Sequence, residues 1–268
     1  MRELPFVKGH GARNDFVLFT DSEGRVELSD AEVAAICDRR AGIGADGVLR
    51  AVRDADGQWF MDYRNADGSL AEMCGNGLRV FLRYLASEGL VHGDLVTVGT
   101  RAGERTGTFL PDGRIAVTMG AVRIDADRPE VVIGDQRWTG IPANVGNPHV
   151  VSLVADEAEL DSLDLSAAPG VPDGRFPQGV NAEFVARLEP GHVRMRVHER
   201  GSGETWACGT GVVAVAVSVG GAVPGGESVL VTTPGGDLAV HVEPDGEALL
   251  TGPAVLVARG VIDLEVIG

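Results

Sequence analysis

The chain has 268 residues, with 23 lysines and arginines against 39 aspartates and glutamates, for a net charge of −16. That balance excludes nucleic acid and anionic membranes as partners, since both need a basic footprint. No apolar run approaches the ~20 residues of a membrane-spanning helix, the first ten residues lack the apolar core of a signal peptide, and three cysteines without a C-x-x-C make neither a disulfide framework nor a metal site. A cytosolic protein is expected.

Lys8 is the only lysine, so a pyridoxal phosphate Schiff base would have to form at the very start of the chain. There is also no G-x-G-x-x-G and no P-loop to cradle a cofactor phosphate. The expected chemistry therefore uses side chains alone, with no cofactor and no metal.

In chain order, Phe16–Thr20 reads as a strand, and Ser29–Arg39 as a helix with Ser29 as N-cap and Val33, Ile36 and Cys37 on its apolar face. Val48–Val52 and Gln58–Arg64 are further strands, and Gly77–Glu88 is a helix closed by Gly89. Leu95–Met119 is strand and turn, with the hairpin turn at P-D-G 111–113, and Val131–Trp138 closes a first unit. Val150–Val154 and Val193–His198 are strands of a second unit, flanking a weak helix near 156–165 and a Pro- and Gly-rich loop over 164–178. The run Val212–Val219 has strand propensity, but is assigned to helix by analogy with Leu78–Ala86.

That analogy comes from a repeat. Asn65–Gly77, N-A-D-G-S-L-A-E-M-C-G-N-G, matches Glu199–Gly211, E-R-G-S-G-E-T-W-A-C-G-T-G, with Cys74 and Cys208 separated by 134 residues. Gly47 faces Asn181 and Asn65 faces Glu199 at the same offset, and Asn14 faces Asn147 at 133. Two copies of one α/β unit are expected, residues 1–142 carrying Cys74 and 143–268 carrying Cys208, each giving one edge of a site in the cleft between them.

Each cysteine precedes a predicted helix, where free backbone N–H groups and the macrodipole favour a thiolate and can hold a carboxylate. Two such thiols at equivalent positions suit the inversion of a stereocentre: one takes a proton from carbon and the other gives one to the opposite face. The N–H groups of Gly75, Asn76, Gly209 and Thr210 would hold the substrate carboxylate and the charge of the carbanion.

The motifs K-G-H-G-A-R-N-D-F, G-I-G-A-D-G-V-L, V-G-N-P-H and G-V-N-A, with the two cysteine stretches, resemble diaminopimelate epimerase over nearly the whole chain. The resemblance implies two α/β (α+β) units, each a β-barrel-like sheet wrapped around a central helix, and a homodimer acting on a small-molecule amino-acid substrate without cofactor or metal. It implies that Cys74 and Cys208 are the acid/base pair, and that Asn14, Asn65, Asn147, Asn181 and Arg200 contact substrate, Arg200 taking the distal carboxylate. Glu199 would bind the reacting amino group, and with His149 would tune the thiols. Two positions depart from the family pattern: Arg13 replaces the second Gly of G-x-G-N-D-F, and Gly47 stands where some members carry a substrate-contacting Gln.

Three other functions compete: racemisation of another amino acid, a reversible Cys74–Cys208 redox pair, and a silent amino-acid binding protein. The redox pair leaves Glu199, Arg200 and the asparagines unused, and a binding protein needs only one thiol at most. Metal-dependent hydrolysis ranks last, for want of a ligand set.

Overall fold

Continuous apolar runs make strands buried on both faces, and these frame one helix in each half of the chain. The computed structural model describes residues 2–171 and 174–267. It runs through β1 (Glu3–Gly11), β2 (Asn14–Thr20), α1 (Asp30–Cys37), β3 (Gly47–Arg53), β4 (Trp59–Asn65), α2 (Gly75–Ser87), β5 (Leu95–Thr100), β6 (Gly103–Phe109) and β7 (Ile115–Ala121). Then come β8 (Arg123–Ile124), β9 (Glu130–Ile133), β10 (Gln136–Asn144), β11 (Pro148–Leu153), α3 (Glu157–Ser162), β12 (Asn181–Glu189), β13 (His192–Glu199) and β14 (Gly203–Thr205). The last elements are α4 (Gly209–Val215) with a π-helical extension over Ala216–Gly220, β15 (Val229–Thr233), β16 (Gly236–Val242), β17 (Glu247–Gly252) and β18 (Val255–Asp263).

The repeat is structural. In the first copy β1–β2 pair antiparallel, β2–β3 parallel, β3–β4 antiparallel, β4–β5 parallel, and β5–β6 and β6–β7 antiparallel. The second copy repeats these polarities through β10–β11, β11–β12, β12–β13, β13–β15, β15–β16 and β16–β17. In both copies the second helix, α2 or α4, lies in the crossover between the fourth strand and its parallel partner.

The boundary expected at 142/143 marks the sequence repeat but not the packing. By packing, one unit is Met1–Val117 together with Pro253–Gly268, and the other is Thr118–Gly252. The reason is strand exchange. β18, which follows the second copy's last hairpin, pairs antiparallel with β1 of the first, and β9, which follows the first copy's last hairpin, pairs antiparallel with β10 of the second. The segment Val131–Trp138 thus packs in the second unit rather than closing the first.

Ser29 caps α1 in a reciprocal capping box with Glu32, an arrangement worth about 1 kcal/mol. The helix ends at Cys37, short of the expected Arg39, because the Asp38 backbone is extended and its carboxylate takes the amides of Arg40 and Ala41. Beneath it Val17, Phe19, Val33, Ile36 and Val48 form one core with Ile262 and Leu264. In the second unit Val150, Leu160, Ala182 and Phe184 form the matching layer under α3.

The sheets wrap the central helices. Every residue of α2 except Arg83, Ala86 and Ser87 is buried, against β1, β2, β3 and β18, and Gly107 of β6 leaves room for Leu82. All of α4 is buried, against β11, β12, β13, β16 and β17. Burial decides the helix-or-strand ambiguity of its valines: β-branching costs roughly 0.5 kcal/mol per residue in a helix, whereas burying each valine gains about 1.5 kcal/mol or more.

Candidate active site

Cys74 is the N-cap residue of α2, and its sulfur accepts the Gly77 amide at 3.4 Å. The thiol donates to Asn14 Oδ1 at 3.4 Å, while Asn14 Nδ2 donates to Asp46 Oδ2 at 2.7 Å. Asp46 thereby fixes the amide so that its oxygen faces the sulfur. Asn65, at the end of β4, donates through Nδ2 to Ser69 Oγ at 3.0 Å in the turn leading to Cys74. Asn76 is fully buried, and its side-chain oxygen accepts from Arg79 Nη2 at 2.7 Å.

Cys208 is the N-cap residue of α4 and is buried. Its sulfur lies 3.4 Å from Thr210 Oγ1, which accepts from Asn147 Nδ2 at 3.2 Å. Asn147 Oδ1 faces His149 Nε2 at 2.9 Å, and His149 Nδ1 lies 2.7 Å from Glu183 Oε1. With Nε2–H donating to the amide oxygen, Nδ1 and the carboxyl share one proton. Asn181 Oδ1 accepts the Arg200 amide at 2.9 Å, and Glu199 accepts from Thr205 Oγ1. Burial pushes the Cys208 thiol well above its ordinary value, and the nearby Glu199 and Glu183 carboxylates push the same way, with Thr210 opposing. Burial also raises Glu183, against the pull of His149.

The expected residues thus fall into two clusters, one per unit. Asn14, Asn65, Cys74, Gly75 and Asn76 gather at the start of α2. Asn147, His149, Asn181, Glu199, Cys208, Gly209 and Thr210 gather at the start of α4. Arg200 is exposed, and among the described residues no carboxylate lies within ion-pair distance of its guanidinium. Lys8 is engaged with Asp15 at 2.7 Å.

Sequence reasoning missed three residues. Asp46 orients Asn14. Glu183 is fully buried on β12 with Oε2 lacking any partner. Arg79 is fully buried within α2. The repeat held the signal for the last two, since Glu183 stands opposite Leu49 and Arg79 opposite Val213 at the 134-residue offset.

The two departures from the family pattern differ in local fit, Arg13 carrying a strained backbone and Gly47 meeting a steric need. Arg13 has φ of 63°, the left-handed region that glycine adopts freely and that costs another residue roughly 1–2 kcal/mol. A Cβ at Gly47 would sit 2.4 Å from Arg64 O and 2.7 Å from Tyr63 Cε2, so no larger side chain fits there without backbone movement.

A diaminopimelate epimerase family model matches residues 6–124 and 142–257, one segment for each copy of the repeat. The chain belongs to the diaminopimelate epimerase family. A diaminopimelate epimerase from Streptomyces coelicolor is 49% identical over 97% of this chain and 96% of its own length, and one from Thermobifida fusca 48% identical over 97% and 98%. Among solved structures, a Bacillus anthracis phenazine biosynthesis protein of the PhzF family superposes with a TM-score of 0.73 at 15% identity, covering 98% of this chain and all of that one. A hydroxyproline epimerase from Agrobacterium vitis gives 0.71 at 14% identity, with coverage of 97% and 92%. At such identities these two speak for the two-unit fold alone. Membership of the diaminopimelate epimerase family makes the protein an isomerase, of the amino-acid racemase and epimerase kind.

Proposed function

We propose that the protein interconverts LL- and meso-diaminopimelate by proton transfer between the α-carbon and two cysteines, without cofactor or metal. One thiolate, Cys74 or Cys208, removes the α-proton while the other residue, as thiol, protonates the opposite face, and the roles reverse with the substrate isomer. The observation that carries this reading is the recurrence of one device in two equivalent units: a cysteine at a buried helix N-terminus, followed by Gly-x-Gly, with an asparagine linked to the sulfur directly (Asn14) or through Thr210 (Asn147).

The backbone N–H groups of Gly75, Asn76, Gly209 and Thr210 stabilise the α-carboxylate and the charge that builds on it as the carbanion forms. Asn65, Asn147 and Asn181 position the substrate, Glu199 takes its reacting amino group, and Arg200 grips the distal carboxylate through its two-pronged fork. His149 with Glu183 sets the protonation of Cys208. No helix among the described residues is long and apolar enough to cross a membrane. We place the reaction in the cytosol, in the supply of lysine and cell-wall precursors, and the enzyme in a homodimer. The exposed row Val255, Val257 and Val261 on strand β18 supports a partner surface.

The test is proton NMR of each isomer in heavy water with reduced protein, a chelator and no added pyridoxal phosphate. Loss of the α-proton signal together with isomer interconversion is expected, abolished by Cys74→Ala and by Cys208→Ala. Arg200→Lys keeps the charge but loses the fork; since a charge-assisted bond is worth about 1.5–3 kcal/mol, KM should rise about tenfold or more with the melting temperature unchanged. Absence of α-proton exchange with either isomer would overturn the substrate assignment.

A further inference from the structure

Arg79 is the largest fully buried side chain among the described residues. Its partners are all neutral: Nη1 donates to Gly75 O at 3.2 Å, Nη2 to Asn76 Oδ1 at 2.7 Å and Nε to Pro253 O at 3.4 Å. Two of these belong to the first turn of α2, directly after Cys74, and Gly11 leaves the space in which the guanidinium lies. A buried cation without a carboxylate is costly and rare, so its persistence calls for a counter-charge.

The elements packed on α2 do not supply one. Lys8 and Asp15 pair with each other, Arg39 also holds Asp15, Arg50 is paired with Asp21 and Asp62, and Arg259 with Glu88. Arg83 reaches Gly113 O. His10 alternates to the other face of β1, since Gly9 and Gly11 face α2. Burial pulls the Arg79 guanidinium down to about 10, and the ionisable group acting in the opposite direction is Cys74.

The second copy is built the other way round. Val213 stands where the first copy has Arg79, and the buried pair of His149 and Glu183 stands where the first has Phe16 and Leu49. A Cβ on Gly77 would meet Phe16 Cζ at 3.3 Å, whereas one on Gly211 would meet Glu183 Oε1 at 2.6 Å. The space below one thiol is apolar with a cation nearby, and the space below the other holds a carboxyl group.

We propose that Arg79 is a positioning residue, whose buried guanidinium favours the Cys74 thiolate against the Asn14 amide oxygen that accepts the thiol proton, while the carboxylates of Glu183 and Glu199 hold Cys208 as the thiol. The two copies have diverged so that the empty enzyme carries one preset protonation state. This rests on the two-cysteine reading above, but it is tested without substrate.

The experiment is iodoacetamide alkylation of the native protein across pH 5.5–10, with the rate at each cysteine read by peptide mass spectrometry. Cys74 should titrate below the ordinary thiol value of about 8.5 and Cys208 above it. Arg79→Met should shift the Cys74 titration upward by a unit or more, slowing its labelling at neutral pH about tenfold or more, and should move the acid limb of the kcat/KM profile with it. Arg79→Lys should keep most of the wild-type behaviour. Cys37, whose thiol burial pushes up to about 12, stays unlabelled in folded protein and reports on the fold of each variant. A wild-type Cys74 titrating at or above the ordinary value, or a folded Arg79→Met protein with Cys74 unshifted, would overturn the proposal and leave the epimerase reading standing. If Arg79→Met exposes Cys37, the order of the two thiols in the wild type and the Arg79→Lys titration decide.

Discussion

Replacing the buried pair His149–Glu183 by its own counterpart from the first copy tests how that pair acts. Both side chains are fully buried and joined at 2.7 Å, and Glu183 Oε2 has no partner. Glu183→Leu leaves a histidine that can stay neutral but loses one bond, so the cost should be that of an unsatisfied buried polar group, about 1–3 kcal/mol. His149→Phe leaves a buried carboxyl group without its hydrogen-bonded partner, which should cost about 3–5 kcal/mol at neutral pH. The sign with pH follows from the raised Glu183 carboxyl. Stability in His149→Phe should be highest below the unfolded carboxylate value, where the group is protonated in both states, and should fall as pH rises. The double variant introduces the Phe–Leu combination found at Phe16 and Leu49 in the first copy, and should lie within about 1 kcal/mol of wild type, because an apolar pair of similar volume replaces a buried polar one at little net cost. Urea unfolding at pH 7 for the four proteins of the cycle gives the coupling, expected at several kcal/mol. If the double variant is as unstable as the two single losses added together, the pair is not coupled and the argument fails.

Asp15 offers a second pH test. Its burial would raise the carboxyl, but hydrogen bonds and charge from Arg39 and Lys8 outweigh that and hold it at about 2 against an ordinary 3.8. A depressed carboxyl stabilises above its unfolded value and loses that contribution as pH falls through the folded one. Asp15→Asn should therefore cost about 2 kcal/mol at pH 7 and progressively less between pH 4 and pH 2, measured by urea titration at each pH. A chain stopped at Gly252 lacks β18 and with it the buried Ile262 and Leu264. Those two side chains alone contribute about 3–6 kcal/mol of burial, comparable with the whole stability of many domains. Its first unit should show no cooperative thermal transition by near-ultraviolet circular dichroism, and a native-like melt would refute the dependence on the exchanged strand.

The repeat made most of this legible, because its offset tied weak local signals to strong ones. Val212–Val219 is ambiguous alone, yet its pairing with Leu78–Ala86 gives a helix, and α4 with its π-helical extension covers that run. Cys74 and Cys208 stood out for the same reason. What stayed hidden was where the copies differ. Glu183 lies in an apolar strand, where one acidic residue passes for an exposed position, and Arg79 looks like the polar face of an amphipathic helix until the first two turns of α2 are seen to be buried. The packing boundary was illegible for another reason. Pairing of β18 with β1 joins residues some 250 positions apart, and no local pattern in a strand names its partner.

That strand exchange also sets an order of events during synthesis. The first unit spans Met1–Val117 but is completed only by Pro253–Gly268. At roughly 5–20 residues per second on the ribosome, the last strand emerges about seven to thirty seconds after the rest of that unit. Through this interval β1 has one unpaired edge, and the layer beneath α1 lacks Ile262 and Leu264. The second unit has all of its strands at Gly252, a few residues of synthesis before β18 completes the first. The nascent chain therefore matures from its middle outward, and its N-terminal sheet is the part most in need of protection until translation ends.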